Sequence, residues 1–241
     1  MIAPVNFSPC ALNAARYAAD LALSLQADMH LIHVIQVPVT STEIVMTDYL
    51  YQQMVDSAIV SLRDLQADLI KRTAHRIRIV TSLSMGGIAA RLGELCKQVK
   101  PYAIVVGTSG PTLEKFLVGS PVTSLLQNLH YPILVVPETA VFHHFRQILL
   151  ACDLGDIGSG IPHSLPLLKN LRLHFGSRFD IVTVQTSSAL TGENKVLLSD
   201  GWKDQLKDLY PQIHYIRMHK VEDGILEYLR HHQADLIMVF P

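Results

Sequence analysis

Apolar residues fall along the chain in short strand-sized runs, separated by longer stretches in which they recur every three or four positions. The short runs, Ile2–Val5, Met29–Val37, Ile77–Leu83, Tyr102–Val106 and Ile133–Val136, predict buried strands. Ser8 is placed to cap a helix from Pro9 to about Leu25, whose alanines at 11, 14, 15, 18, 19 and 22 form a small-residue face able to lie close on a sheet. From Ser41 to about Thr73 the spacing of Ile44, Leu50, Met54, Ala58, Leu62, Leu65 and Leu69 predicts a second helix. Gly86-Gly87 opens a third through Val99, which Pro101 stops, and Ser120-Pro121 begins a short fourth that reaches about Leu129. Strands that alternate with helices need crossovers, and continuous apolar strands need cover on both faces. The pattern is that of a doubly wound parallel sheet, Rossmann-like in class.

The pattern then begins again. Gln147–Cys152 repeats the first strand, Ile161–Leu173 a helix, Asp180–Gln185 the second strand, Trp202–Leu209 part of a helix and Ile213–Arg217 the third strand. Val221–His232 and Leu236–Phe240 supply a helix and a fourth strand. Asn6 after Ala3-Pro4-Val5 aligns with Asp153 after Leu150-Ala151-Cys152, Val34 with Val184, and Ala103–Gly107 with Leu236–Phe240. The reading is two α/β domains, 1–140 and a degenerate copy over 145–241 that lacks the last strand, joined by Glu138–Arg146. In the copy Phe240 stands where the first half has Gly107, and Asp153 reads as a cap on the turn through Gly155.

Composition narrows the partners. Twenty basic residues against 21 acidic give a net charge of −1, with no electrostatic footprint for nucleic acid or anionic lipid. No apolar run approaches the roughly 20 residues of a membrane span, and the opening residues read into a strand without the basic region of a signal peptide. A soluble cytoplasmic protein is expected. Cys10, Cys96 and Cys152 are too scattered for a disulfide framework or metal knuckle and read as ordinary buried thiols. The adjacent pairs His143-His144 and His231-His232 lack the spacing of helical metal ligands, so no metal site is expected.

The chemistry concentrates after the fourth strand. Val105-Val106-Gly107-Thr108-Ser109-Gly110 ends a strand in glycine, and Gly119-Ser120 opens a helix whose free N–H groups and dipole suit phosphate. Together they predict an anion cradle at the carboxyl ends of the strands, although both glycines also suit tight turns.

These residues, with Tyr131-Pro132-Ile133-Leu134-Val135-Val136-Pro137 and the opening Pro4-Val5-Asn6-Phe7-Ser8, resemble the universal stress protein signature. The resemblance covers the first half nearly end to end and the second half as a looser tandem copy. It implies strand order 3-2-1-4-5 and, in ATP-binding members, a nucleotide held between the first strand's end, the second strand and the glycine loop. Carried over by position, Pro4, Val5, Asn6 and Val34 would line the adenine side, Gly107 and Gly110 would flank ribose and phosphates, and Gly119, Ser120 and Val122 would hold the phosphates. Three features depart from the family pattern. Pro111–Val118 gives eight residues where those members have nine, Asn6 replaces the usual aspartate, and Pro121 removes one N–H from the helix entrance.

The functional expectation is a stress-response module that binds ATP or a related adenine nucleotide, magnesium arriving only with the nucleotide. The alternative is a dimeric interaction scaffold of the same fold with no nucleotide. Slow ATP hydrolysis is the most that enzyme chemistry would amount to, because no Walker-type loop, acid–base pair or metal cluster stands near the glycine loop; no catalytic residue is assigned. Ile133–Val136 at a sheet edge predicts a homodimer.

Overall fold

The computed structural model describes residues 1–36, 48–109, 129, 131–152, 160–185 and 206–239. Its residues cluster into two units, Met1–Phe142 and His143–Pro241. In the first, β1 (Ile2–Pro4), β2 (Met29–Ile35), β3 (Ile79–Met85), β4 (Ile104–Thr108) and β5 (Ile133–Pro137) form one parallel sheet in the order β3-β2-β1-β4-β5. Helices α1 (Pro9–Ser24), α2 (Asp48–Arg72) and α3 (Ile88–Val99) provide the crossovers among the described residues. The expected short helix over 120–129 and the start of the second helix at 41–47 lie outside the described residues, Leu129 excepted.

The sheet is central because its strands are apolar on both faces. On one face Ile2, Ile32, Ile104 and Val106 pack with Leu92, Leu95 and Cys96 of α3. On the other, α1 presents Ala11, Ala14, Ala15, Ala18, Ala19 and Ala22, all buried. Small side chains let a helix backbone approach a sheet closely. The limit is reached at Gly107, where an added Cβ would lie 2.9 Å from the Ala11 nitrogen and closer still to the Cys10 carbonyl. That glycine is therefore demanded by the seat of α1, a reason distinct from ligand approach. Arg72 of α2 ties back to Asp20 of α1 through Nε and Nη2, at 2.8 and 2.7 Å.

In the second unit β6 (Gln147–Ala151), β7 (Arg178–Gln185), β8 (Gln212–Arg217) and β9 (Leu236–Val239) form a parallel sheet in the order β8-β7-β6-β9. This is the first sheet's order without its fifth strand, among the described residues. Helices α4 (Gly160–Phe175) and α5 (Val221–His231) flank it, with a 3-10 turn at Lys207–Leu209. Leu149, Val182 and Tyr228 form a core cluster that Val184, Ile216, Ile225 and Leu229 extend. Asp153, Gly155, Trp202 and Phe240 lie outside the described residues. Among the described residues no helix is long and apolar enough to cross a membrane.

Of the three thiols expected to be buried, only Cys96 is; Cys10 and Cys152 are half-buried near the carboxyl ends of the first strands. Burial pushes the Cys96 thiol up to about 11, so it stays protonated near neutral pH.

Candidate functional site

Strand order 3-2-1-4-5 reverses direction between β1 and β4, and a crevice at the carboxyl ends of such a sheet is where ligands bind in open α/β folds. A cavity of about 1050 Å³ opens there in the first unit. Pro4, Val5, Asn6, Val34 and Gly107 all line it. Gly110, Gly119, Ser120 and Val122 lie outside the described residues; the described lining from this stretch is Val106 to Ser109.

Each wall has a local cause. β1 ends at Pro4, and Asn6 starts a turn in which its Oδ1 accepts from the Ser8 N–H at 3.1 Å and the Ser8 hydroxyl at 2.7 Å. Ser8 Oγ in turn accepts from the Ala11 N–H at 3.4 Å and caps α1. The side-chain oxygen of Asn6, a residue expected to line the adenine side, is thus occupied within the turn, and the Asn6 side chain serves the helix cap. Between them Phe7 sits at φ 62°, a conformation bulky residues rarely adopt. Its ring rests on His33, centroids 4.8 Å apart.

The third wall is α2, where Gln53, Ser57 and Ser61 recur every fourth residue and line the cavity with Met54 and Ala58. Apolar spacing identifies this helix in the sequence but does not single out the polar stripe beside it. His33, Phe7 and Cys10, likewise not singled out, also line the cavity. Cys10 Sγ lies 3.2 Å from Ser8 Oγ. Among the described residues no group of three His, Cys, Asp or Glu is arranged to hold a metal ion.

The peptide edge of Val34 is the feature best suited to a planar ligand. Alternate residues of β2 bond toward β1: the His30 N–H donates to Met1 O and Ile32 O accepts from the Val5 N–H, each at 2.9 Å. Val34 is next in that alternation, but β1 has turned away before reaching it. Its N–H and C=O face the cavity side of the strand without a partner in β1, and a ligand edge carrying one donor and one acceptor complements them.

The universal stress protein family model matches residues 1–137. A universal stress protein of Methanocaldococcus jannaschii is 26% identical over 147 residues, 57% of this chain and 81% of its own. Among solved structures, a universal stress protein from Archaeoglobus fulgidus DSM 4304 is similar over 99% of this chain and 85% of its own, with TM-score 0.70 and 17% identity. A universal stress protein from Archaeoglobus fulgidus in complex with dAMP is similar over 56% of this chain and 94% of its own, with TM-score 0.40 and 14% identity. The five-stranded order, the cavity at its reversal and a family match across more than half the length agree, and the chain belongs to the universal stress protein family.

Proposed function

We propose that the first unit binds ATP or a related adenine nucleotide in the cavity at the end of β1, β2 and β4, and acts as a sensor or regulatory module in the cytoplasm. The observation that carries this reading is the open peptide edge of Val34 on a cavity of about 1050 Å³, large enough for a nucleoside triphosphate. A base stacked against Pro4, Val5 and Val106 would meet that edge, with ribose toward Gly107 to Ser109. Gly110, Gly119, Ser120 and Val122 would complete the phosphate end, and magnesium would enter with the triphosphate.

Protein purified without added nucleotide and then heat-denatured releases adenine-absorbing material on this reading, and ATP titrates it with a dissociation constant below about 1 mM. Neither release nor saturable binding would overturn the reading. The Asn6 turn favours a second one: with Oδ1 accepting twice from Ser8, the site lacks the free acceptor that an aspartate would offer, as an interaction scaffold would.

A homodimer through the outer edge of β5 fits both readings, since an apolar edge strand favours pairing with another chain. Light scattering at micromolar concentration would give twice the monomer mass; a monomer would defeat the dimer.

A further inference from the structure

Why β1 lets go of β2 when it does is answered twice in this chain, by different side chains. In the first unit the ladder's last bond runs from the Val5 N–H to Ile32 O at 2.9 Å. One more step would carry the Val34 N–H to Val5 O. The Val5 carbonyl is instead taken by His33 Nδ1 at 2.7 Å. A carbonyl only accepts, so Nδ1 carries the proton whether the ring is neutral or charged.

The second unit repeats the arrangement. Ala151 pairs with Val182 as Pro4 pairs with Ile32, and the Cys152 N–H donates to Val182 O at 3.2 Å. The Cys152 carbonyl then accepts from Thr183 Oγ1 at 3.1 Å, and Thr183 holds the sheet position of His33. An imidazole in one unit and a hydroxyl in the other satisfy the same carbonyl. What the two share is the donor, not size, shape or aromaticity.

We infer that His33 is the positioning residue of the ligand site: by binding the Val5 carbonyl it ends the β1–β2 ladder one bond early and keeps the Val34 peptide edge open to the cavity. This inference rests on the nucleotide reading for its functional meaning. The ring also supports Phe7, whose backbone at φ 62° turns the chain toward the α1 cap. His33 touches the ligand's surroundings and acts through Val5 and Val34.

The decisive pair of variants, made in the full chain, is His33→Thr against His33→Val. Both lose the ring and have the same shape and branching; only threonine keeps a donor, the one the second unit already uses. In the unliganded protein, the Val34 amide of H33T exchanges with solvent as in wild type, whereas in H33V it slows about tenfold or more as it takes the freed Val5 carbonyl. A fluorescent ATP analogue binds H33V about tenfold more weakly than H33T. Equal Val34 exchange and equal affinity in the two variants overturn the inference. If wild type binds no analogue, the nucleotide reading falls, while the exchange contrast still decides what His33 does. Should H33V not fold, His33→Asn against His33→Leu poses the same question, because asparagine carries an N–H on Cγ where the ring has Nδ1.

Discussion

In the first unit β4 lies between β1 and β5, and its Ile104, Val105 and Val106 are at most 4% exposed. In the second unit β9 occupies the place of β4 at the sheet edge, where Val239 is 58% and Ile237 37% exposed. The two segments are almost equally apolar. What separates them among the described residues is their cover: β4 lies between two strands with Ile104 and Val106 against α3, whereas β9 has a strand on one side, so an apolar run specifies a strand while its neighbours decide its burial.

A second contrast lies across the middle strands. His30 and Ser82 in the first unit hold the same diagonal positions as Asp180 and His214 in the second. His30 Nε2 and Ser82 Oγ share a 3.0 Å hydrogen bond, and burial, with the positive N-terminus nearby, holds the imidazole below its usual pKa. Asp180 is instead a buried carboxylate that accepts from the Tyr228 hydroxyl at 2.8 Å and from the Gln147 amide. Burial first, and the Asp180 carboxylate second, push the Tyr228 hydroxyl well above its usual range. His214 Nε2 lies 3.8 Å from Asp180, beyond hydrogen-bond reach, and is a buried nitrogen with no partner among the described residues. One unit fills this position with a hydrogen-bonded imidazole and hydroxyl, and the other with a buried carboxyl held by two donors, Tyr228 and Gln147.

The largest test of the comparison is glycine. Gly107→Ala pushes a methyl into the α1 backbone and lowers stability by about 3 kcal/mol in urea unfolding. Gly224→Ala in α5 has the Val184 side chain as its nearest neighbour, both γ-methyls within 2.7 Å; that clash is with a side chain rather than backbone and helix propensity is recovered, so its cost is about 2 kcal/mol. Equal losses would mean that α1 has room to shift. Next, Asp180→Ala leaves the Tyr228 hydroxyl and Gln147 amide without their acceptor and costs about 2–3 kcal/mol, whereas Ser82→Ala costs about 1. Matching values would show that the buried carboxyl matters no more than the imidazole and hydroxyl.

The smallest effect is the acid sensitivity of the second unit. Burial raises the Asp235 pKa, but the N–H groups of Gln147 and Arg146, with His143, outweigh burial and hold the carboxyl below its usual value. A depressed carboxyl stabilises the fold above its unfolded pKa, and that contribution disappears as pH falls through the folded value. Asp235→Asn therefore loses about 1 kcal/mol at pH 7 and flattens the fall in urea midpoint below about pH 4. An unchanged acid limb would place the sensitivity elsewhere.

Much of the architecture was legible because parallel strands are apolar on both faces and the helices between them are periodic; the alanine face of α1 and the Ser8 cap followed from residue type alone. Pro4, Val5 and Val34, carried over by position from the family resemblance, line the cavity, and of the lining only Gly107 is marked by residue type, as a glycine that ends a strand. Asn6 lay where expected, but its oxygen turned inward to Ser8, a choice set by a local turn that competes with ligand binding. The stripe of Gln53, Ser57 and Ser61 has a readable period, yet only tertiary packing says which face of α2 looks into the cavity. His33 and Thr183 share no residue type, and the carbonyls that unite them have no sequence signature.

The most direct test of a nucleotide site confined to the first unit is a backbone amide NMR titration of the full chain with ATP and magnesium. Saturable shifts at Val5, Val34 and Gly107, with Cys152 and Val184 unmoved, are the result expected. Shifts at the second unit's residues instead, or none at Val34 when ATP exceeds about 1 mM, would contradict it.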